Sequence, residues 1–192
     1  MVYKSSRNFN LNLIWTLIAL CAIVTIATLV NRDLIYLLGL NRASFLDRPW
    51  TIISNLFVHA GLWHLIFNMI ALYFFGSYVG RLVGESRLLL VYFGGGILGN
   101  ILYLLLGSPF IPAVGASGAI FALGGALAML RPKLPVLVFP LPVPIPLWIA
   151  VIGSFVILSF IPSVAWQAHR GGLIVGLVAG YFFRRRERRY YL

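Results

Sequence analysis

The chain has 192 residues, of which 61% are hydrophobic and 10% charged, and its mean hydropathy is +0.97. A water-soluble domain of this length cannot bury so much apolar surface, so the composition excludes the soluble globular classes and indicates an integral membrane protein. The net charge of +11 comes from basic residues clustered beside apolar segments, a pattern typical of topology signals and anionic-lipid contacts rather than of nucleic-acid binding.

Six apolar segments come close to the roughly 20 residues that a helix needs to cross a bilayer. They are residues 11–30, 52–79, 87–107, 115–130, 145–161 and 166–183. The second is long enough to be tilted or to enter from an interfacial loop, and the fourth is short. We therefore predict an all-α membrane protein in which residues 11–183 form a six-transmembrane-helix bundle. Residues 1–10 and 184–192 are then a short segment and a basic tail on one side.

The distribution of basic residues predicts the orientation of this bundle. With both termini in the cytoplasm, 11 of the 15 Lys and Arg residues fall on the cytoplasmic side, as the positive-inside rule requires. Residues 31–51 then form an outer loop whose apolar LIYLLGL stretch is expected to lie in the membrane interface. Residues 131–146 are too rich in proline for a regular helix and are expected to form a stiff inner connection.

Acidic residues are absent from all six predicted spans. The four in the sequence are Asp33, Asp47, Glu85 and Glu187. Their positions argue against carboxylate proton relays, carboxylate-bridged metal centres and a Ser-His-Asp triad inside the membrane. We expect neither a metal nor a cofactor.

A few other polar side chains do lie within the spans, and four of them fall at a similar depth near the outer side. These are His64, Asn68, Ser117 and His169. Alone, Ser117 is explained by helix packing and His64 by a buried hydrogen bond. Together they suggest a site, because a serine hydroxyl within reach of an imidazole is the minimal activated nucleophile. His59 lies about 140° around a helix from His64 and is interpreted as structural or interfacial.

Small residues predict which helices approach closely. Gly172, Gly176 and Gly180 share one face of the sixth span with His169. The fourth span has a similar narrow stripe, consisting of Ser117, Phe121, Gly124, Gly125 and Ala128. Packing the two stripes together would bring Ser117 next to His169.

Three short motifs resemble the signatures of the rhomboid intramembrane serine proteases. GASG (115–118), HLIFN (64–68) and AHRGG (168–172) match the family's GxSG, HxxxN and AHxxG patterns, in the same order and on spans two, four and six. The resemblance covers about residues 50–183. It implies the six-span prokaryotic form, a multi-pass protein of the cytoplasmic membrane that cleaves peptide bonds in or near transmembrane segments of other membrane proteins.

The resemblance also implies residue roles. Ser117 would be the nucleophile and His169 the general base, while His64, Asn68 and the N–H of Ser117 would stabilise the oxyanion. Gly115 and Gly118 would leave room for the substrate backbone. Phe121, where the family often has tyrosine, would stack under the histidine ring.

Two further departures from the family concern the periphery. Trp50 is followed by Thr51 where many members have arginine, and Gly80 replaces an acidic residue near the inner end of span two. Two other functions stay open on the residues alone. One is a bis-histidine haem protein with His64 and His169 as axial ligands, and the other is a small transporter or channel.

Overall fold

The computed structural model describes residues 9–138 and 140–189, most of which are helical. Its helices are α1 (Asn12–Val30), α2 (Asp33–Leu38), α3 (Thr51–Ser54), α4 (Leu62–Val83), α5 (Glu85–Leu106), α6 (Ser117–Leu130), α7 (Leu147–Ser159) and α8 (Trp166–Arg189). A 3-10 turn, Asn55–Phe57, follows α3. Between α6 and α7 lie two short antiparallel strands, β1 (Pro135–Val136) and β2 (Ile145–Pro146).

Within the described residues, three helices are long and apolar enough to cross a membrane. They are α1, α4 and α5. Helices α6 and α7 are apolar but have only 14 and 13 residues. Helix α8 has 24 residues, but it begins with polar side chains and ends in arginines, which lowers its hydropathy. The structure thus confirms the all-helical class and three candidate spans, whereas the count of six stays a prediction.

The structure interrupts the predicted second span, residues 52–79, which fits entry from a loop rather than one tilted helix. The chain is helical to Phe57, extended at Val58 and Gly61, and helical again from Leu62 to Val83. Because of this break, His59 points into the protein interior, where it is 1% exposed and has hydrogen-bond partners. Those tertiary bonds compensate for the helical bonds that the break removes.

Helix α8 continues beyond residue 183, the predicted end of the last span, to Arg189. Arginine is a strong helix former and no glycine or proline interrupts the basic run. Part of the predicted tail is therefore helix. Residues 1–8 of the predicted N-terminal segment and residues 190–192 of the tail lie outside the described residues.

Helix α6 occupies the centre of the bundle and packs against α4, α5, α7 and α8. It runs parallel to α8 in a constant register. Gly172, Gly176 and Gly180 of α8 lie directly on the carbonyl groups of Gly118, Ala122 and Ala126 respectively. A Cβ atom on any of the three α8 glycines would collide with the α6 backbone. The stripe expected on α8 is therefore a close helix contact.

The stripe expected on α6 divides between two neighbours. Gly125 faces Leu173 and Leu177 of α8, as expected. Gly124 instead faces Val151 of α7 and Phe75 of α4. The assignment of both glycines to α8 is thus wrong for Gly124, because adjacent residues point about 100° apart around a helix.

Side chains at and just after the end of the outer loop cover the end of α2. Arg48 donates a guanidinium N–H to the carbonyl of Tyr36, and Trp50 Nε1 donates to the carbonyl of Leu37 at 3.0 Å. Ser54 Oγ donates to Leu38 at 2.8 Å. Helix ends leave their last carbonyls without intrahelical partners, so these donors fix α2 on the loop. Arg48, two residues before Trp50, is the arginine that binds this loop.

The chain before α6 is tied down in the same region. Leu40 and Ala113 exchange two backbone hydrogen bonds, of 3.0 and 2.8 Å. The hydroxyl of Tyr103 on α5 donates to the carbonyl of Ile111 at 2.5 Å. At the opposite end of the bundle, the space beside Gly80 is filled by the ring of Phe9. Gly80 is therefore a packing position for Phe9 in this chain.

Candidate active site

Ser117 is the first residue of α6 and is half-buried. The chain reaches it through Gly115, whose φ of 119° lies in the region that only glycine adopts without strain. The N–H of Gly115 donates to the carbonyl of Asn55 at 2.9 Å, which fixes the turn. Because the first N–H groups of a helix lack intrahelical acceptors, the backbone donors beside Ser117 point toward the end of the bundle.

His169 lies one turn inside α8, with its ring 4% exposed. Its Nε2 atom is 2.7 Å from Oγ of Ser117. The close contact of Gly118 with Gly172 brings α6 and α8 together next to this pair, because Gly118 directly follows Ser117 and Gly172 lies one turn after His169. The hydroxyl donates to Nε2 when the ring proton is on Nδ1.

Phe121 supports the histidine ring from one turn below Ser117. The two ring centroids are 4.6 Å apart with planes inclined by 34°. On its other side, Phe121 makes an edge-to-face contact with Phe155 of α7, at 6.1 Å. The buried Nδ1 atom of His169 has no hydrogen-bond partner among the described residues. Packing on Phe121 therefore orients the ring.

His64 faces the same site from the first turn of α4. Its Nδ1 atom accepts a hydrogen bond from the N–H of Ala60 at 3.3 Å, so a neutral ring carries its proton on Nε2. A Cβ atom on Gly115 would lie 2.8 Å from that Nε2 atom and 3.8 Å from Oγ of Ser117. Gly115 thus leaves a space in which an N–H donor of His64 and the serine hydroxyl both face the same point.

Asn68 lies one turn below His64 and is 7% exposed. Its Nδ2 atom donates to the carbonyl of His64 at 2.8 Å. One of its two N–H groups is thus used within α4, and the other can donate elsewhere. Gly118 lies against the backbone of Ala168, with 3.1 Å from its Cβ position to the carbonyl oxygen. Its small size therefore serves the α6–α8 contact, and its part in substrate access stays a prediction.

His59 belongs to the site as well, although the sequence suggested only a structural or interfacial position. Its Nε2 atom accepts from the N–H of Ala116 at 3.5 Å, and Nδ1 lies 3.2 Å from Oγ1 of Thr25 on α1. Its ring meets His64 edge to face at 5.1 Å. Thus His59 connects α1 to the residue that precedes Ser117.

A pair of buried amides lies behind the serine. Asn55 and Asn100 exchange two side-chain hydrogen bonds of 3.0 and 2.8 Å, and Nδ2 of Asn100 also donates to the carbonyl of Ile52 at 2.7 Å. Together with Ser117 and Gly118, the pair borders a cavity with room for about one water molecule. Among the described residues, no group of three or more His, Cys, Asp or Glu side chains is arranged to hold a metal ion.

A model of the Rhomboid domain matches residues 46–186, which include every residue of this site except Thr25. The chain belongs to the rhomboid family. The family resemblance inferred from the three motifs is thereby confirmed, and all three rhomboid motifs meet at one end of the bundle.

Individual rhomboid proteins align over most of the chain. The putative rhomboid protease YdcA of Bacillus subtilis is 34% identical over 146 residues, which cover 73% of this chain and 71% of YdcA. Rhomboid protein 1 of yeast mitochondria (Saccharomyces cerevisiae) is 32% identical over 163 residues, 72% of this chain and 44% of that protein. Rhomboid protease GluP of B. subtilis is 33% identical over 141 residues, 69% of this chain and 25% of GluP. The chain thus spans less than half the length of two of these three relatives.

Proposed function

We propose that this rhomboid protein is an intramembrane serine endopeptidase in which Ser117 is the nucleophile and His169 the general base. The observation that carries the proposal is the 2.7 Å contact between Ser117 Oγ and His169 Nε2. Membership of a family that includes named proteases supports the reaction class. The contact also weighs against haem ligation, because the Nε2 atom that a haem would need is engaged by Ser117.

The first chemical step is attack on a peptide carbonyl. His169 takes the hydroxyl proton on Nε2 as Oγ of Ser117 bonds to the carbonyl carbon, and the carbonyl π electrons move to oxygen. The protonated ring then gives this proton to the leaving amine, which breaks the C–N bond and leaves an acyl ester on Ser117. Water, deprotonated by His169, releases the acid and restores the hydroxyl. The cavity that Asn55 and Asn100 line also borders Ser117, so it suits a stored water for this second step.

The negative oxygen of each tetrahedral intermediate requires donors placed in advance. Three groups suit this role: the backbone N–H of Ser117, the Nε2–H of His64 and the second amide N–H of Asn68. The N-terminal end of α6 adds its positive dipole at the same point. Donors of this kind lower the barrier because they are oriented before charge develops.

The reacting groups are proposed to lie inside the bilayer, below the outer surface of a six-span bundle. Helix α6 is only about 21 Å long at 1.5 Å per residue, against a hydrocarbon thickness of about 30 Å. Since nearly all its side chains are buried by protein, a start within the membrane exposes little backbone to lipid. Helices α7 and α8 would complete the count of six.

The orientation that we propose puts both termini in the cytoplasm of a prokaryotic cell. The basic residues support it, since most described cations lie at the end of the bundle opposite Ser117. They are Arg81, Arg87, Arg131, Lys133, Arg184, Arg185 and Arg186. Substrates would be transmembrane proteins that unwind near the outer surface, because a helical peptide bond is shielded from attack. Gly115 would accommodate the unwound strand.

The test is cleavage of a single-span model substrate in liposomes, together with covalent labelling by a fluorophosphonate probe. Ser117→Ala and His169→Ala should each lower cleavage by roughly 10³-fold or more while leaving thermal unfolding unchanged. Ser159→Ala is the matched control, because that hydroxyl only donates to Phe155 within α7. Wild-type cleavage by a folded Ser117→Ala protein would refute the proposal.

A further inference from the structure

The segment between α6 and α7, residues 131–146, leaves apolar side chains uncovered at the basic end of the bundle. We call it the proline hairpin, since six of its sixteen residues are proline and β1 pairs with β2 across it. Leu137 and Val143 are 74% and 58% exposed, and Leu141 is also exposed. In water these side chains would form an unfavourable apolar patch.

Two features at the ends of the hairpin indicate its level relative to the lipid headgroups. At the end of α6, the carbonyl of Met129 accepts a hydrogen bond from the guanidinium of Arg184 at 3.4 Å. Arginine at the end of a spanning helix places its charge at the headgroups, so the hairpin begins at that level. Just after the end of the hairpin, Trp148 in the first turn of α7 is 50% exposed, and tryptophan prefers the same interface.

The high proline content of the hairpin suits a position in the headgroup region. Irregular backbone does not occur in the hydrocarbon region when lipid-exposed, because its N–H and C=O groups lose their hydrogen bonds. Each proline removes one N–H, so the hairpin has fewer donors to satisfy than other loops of its length. The tip closes on itself, since the N–H of Leu141 donates to Val138 at 2.7 Å. The headgroup region tolerates such a backbone.

The positive charges around the hairpin favour an anionic lipid surface over a protein partner. Lys133 is exposed near the start of the hairpin, and Arg185 and Arg186 are exposed on the neighbouring end of α8. An apolar tip bordered by cations fits an anionic bilayer surface. We infer that the proline hairpin inserts its apolar tip into the anionic headgroup layer at the basic end of the bundle. This inference uses the proposed position of the bundle in the bilayer and does not depend on catalysis.

The experiment places a fluorescent bimane on single cysteines in the full chain, in liposomes of phosphatidylcholine and phosphatidylglycerol. The background is Cys21→Ala, which removes the buried native thiol. Leu141→Cys is the test site. Val178→Cys, exposed on α8, is the lipid-facing reference, and Arg186→Cys is the water-facing reference. Quenching by a lipid with a shallow spin label is compared with quenching by aqueous acrylamide.

If the tip is inserted, bimane at residue 141 is quenched by the spin-labelled lipid and is shielded from acrylamide, as at residue 178. Lys133→Gln, or vesicles without phosphatidylglycerol, should shift the ratio of inserted to withdrawn tip by up to about fivefold per charge. Acrylamide quenching equal to that at residue 186 would overturn the inference. Protection from both quenchers would also overturn it, because it would indicate that protein covers the tip. Labelling of Ser117 by fluorophosphonate is measured separately, so failure of catalysis does not affect this result.

Discussion

The imidazole of His59 accepts a hydrogen bond from the backbone N–H of Ala116, the residue immediately before Ser117. Since the opposite ring nitrogen lies 3.2 Å from the hydroxyl of Thr25, a neutral ring donates from Nδ1 to α1. The turn before Ser117 is thereby held by a contact that reaches α1. We therefore expect His59 to position Ser117, the proposed nucleophile, rather than to act on substrate.

Replacing His59 should therefore impair catalysis more than substrate binding. His59→Phe leaves the N–H of Ala116 without its acceptor, and a displacement of about 1 Å at the serine lowers kcat roughly 10- to 100-fold. His59→Gln supplies a carbonyl acceptor and should recover part of the loss. Thr25→Val, which removes only the distant bond, should cost less. Steady-state kinetics with thermal unfolding separate these cases, and an unchanged kcat in folded His59→Phe would contradict the assignment.

Gly115→Ala should be both destabilising and inactivating. The substitution forces alanine into left-handed backbone, which costs about 1–2 kcal/mol, and places its methyl group against the ring of His64. Gly153→Ala on α7 is the matched control, since nothing lies within 4 Å of its Cβ position. That change should raise the free energy of unfolding by about 1 kcal/mol through helix propensity. Thermal unfolding and fluorophosphonate labelling measure both effects, and equal behaviour of the two variants would count against the geometry.

Phe121 is expected to act through its ring rather than through a polar group. Phe121→Leu removes the aromatic contact with His169, worth about 0.5–1.5 kcal/mol, so kcat should fall about two- to tenfold with little change in KM. Phe121→Tyr keeps the ring and should stay within about twofold of the wild type. The pair is compared by kcat and KM for one model substrate. A larger loss in Phe121→Tyr than in Phe121→Leu would show that stacking is not the role of this residue.

The amide pair behind the serine should behave as one unit. Asn55→Ala or Asn100→Ala leaves the other amide buried without its partner and should lower the free energy of unfolding by about 1–3 kcal/mol. The double variant should cost less than the sum of the two, because no orphaned amide remains. The free energies of unfolding of the wild type, the two single variants and the double variant complete this double-mutant cycle. Additive losses would mean that the two side chains are not energetically coupled.

Sequence periodicity was sufficient to pair Ser117 with His169 because each lies on a regular helix with a small-residue face. Helical geometry then determines which side chains meet. The same reasoning failed for His59, which a continuous helix would place about 140° from His64, although the two rings are in edge-to-face contact. The break at residues 58–61 depends on partners at positions 25 and 116, which no local pattern reveals. The pairing of β1 with β2 and the packing of Gly124 against α7 and α4 likewise depend on tertiary contacts.

The fixed register of α6 on α8 limits how the length of this chain can change. One residue inserted in α8 between His169 and Gly172 would keep the glycine contacts but swing the imidazole about 100° around the helix axis, away from Ser117. An insertion below Gly180 would leave both residues in place. Insertions and deletions should therefore be tolerated in connections such as residues 131–146 and excluded from the first turns of α6 and α8. For the proposed protease activity, the spacing of residues along these two helices should then matter as much as their identity.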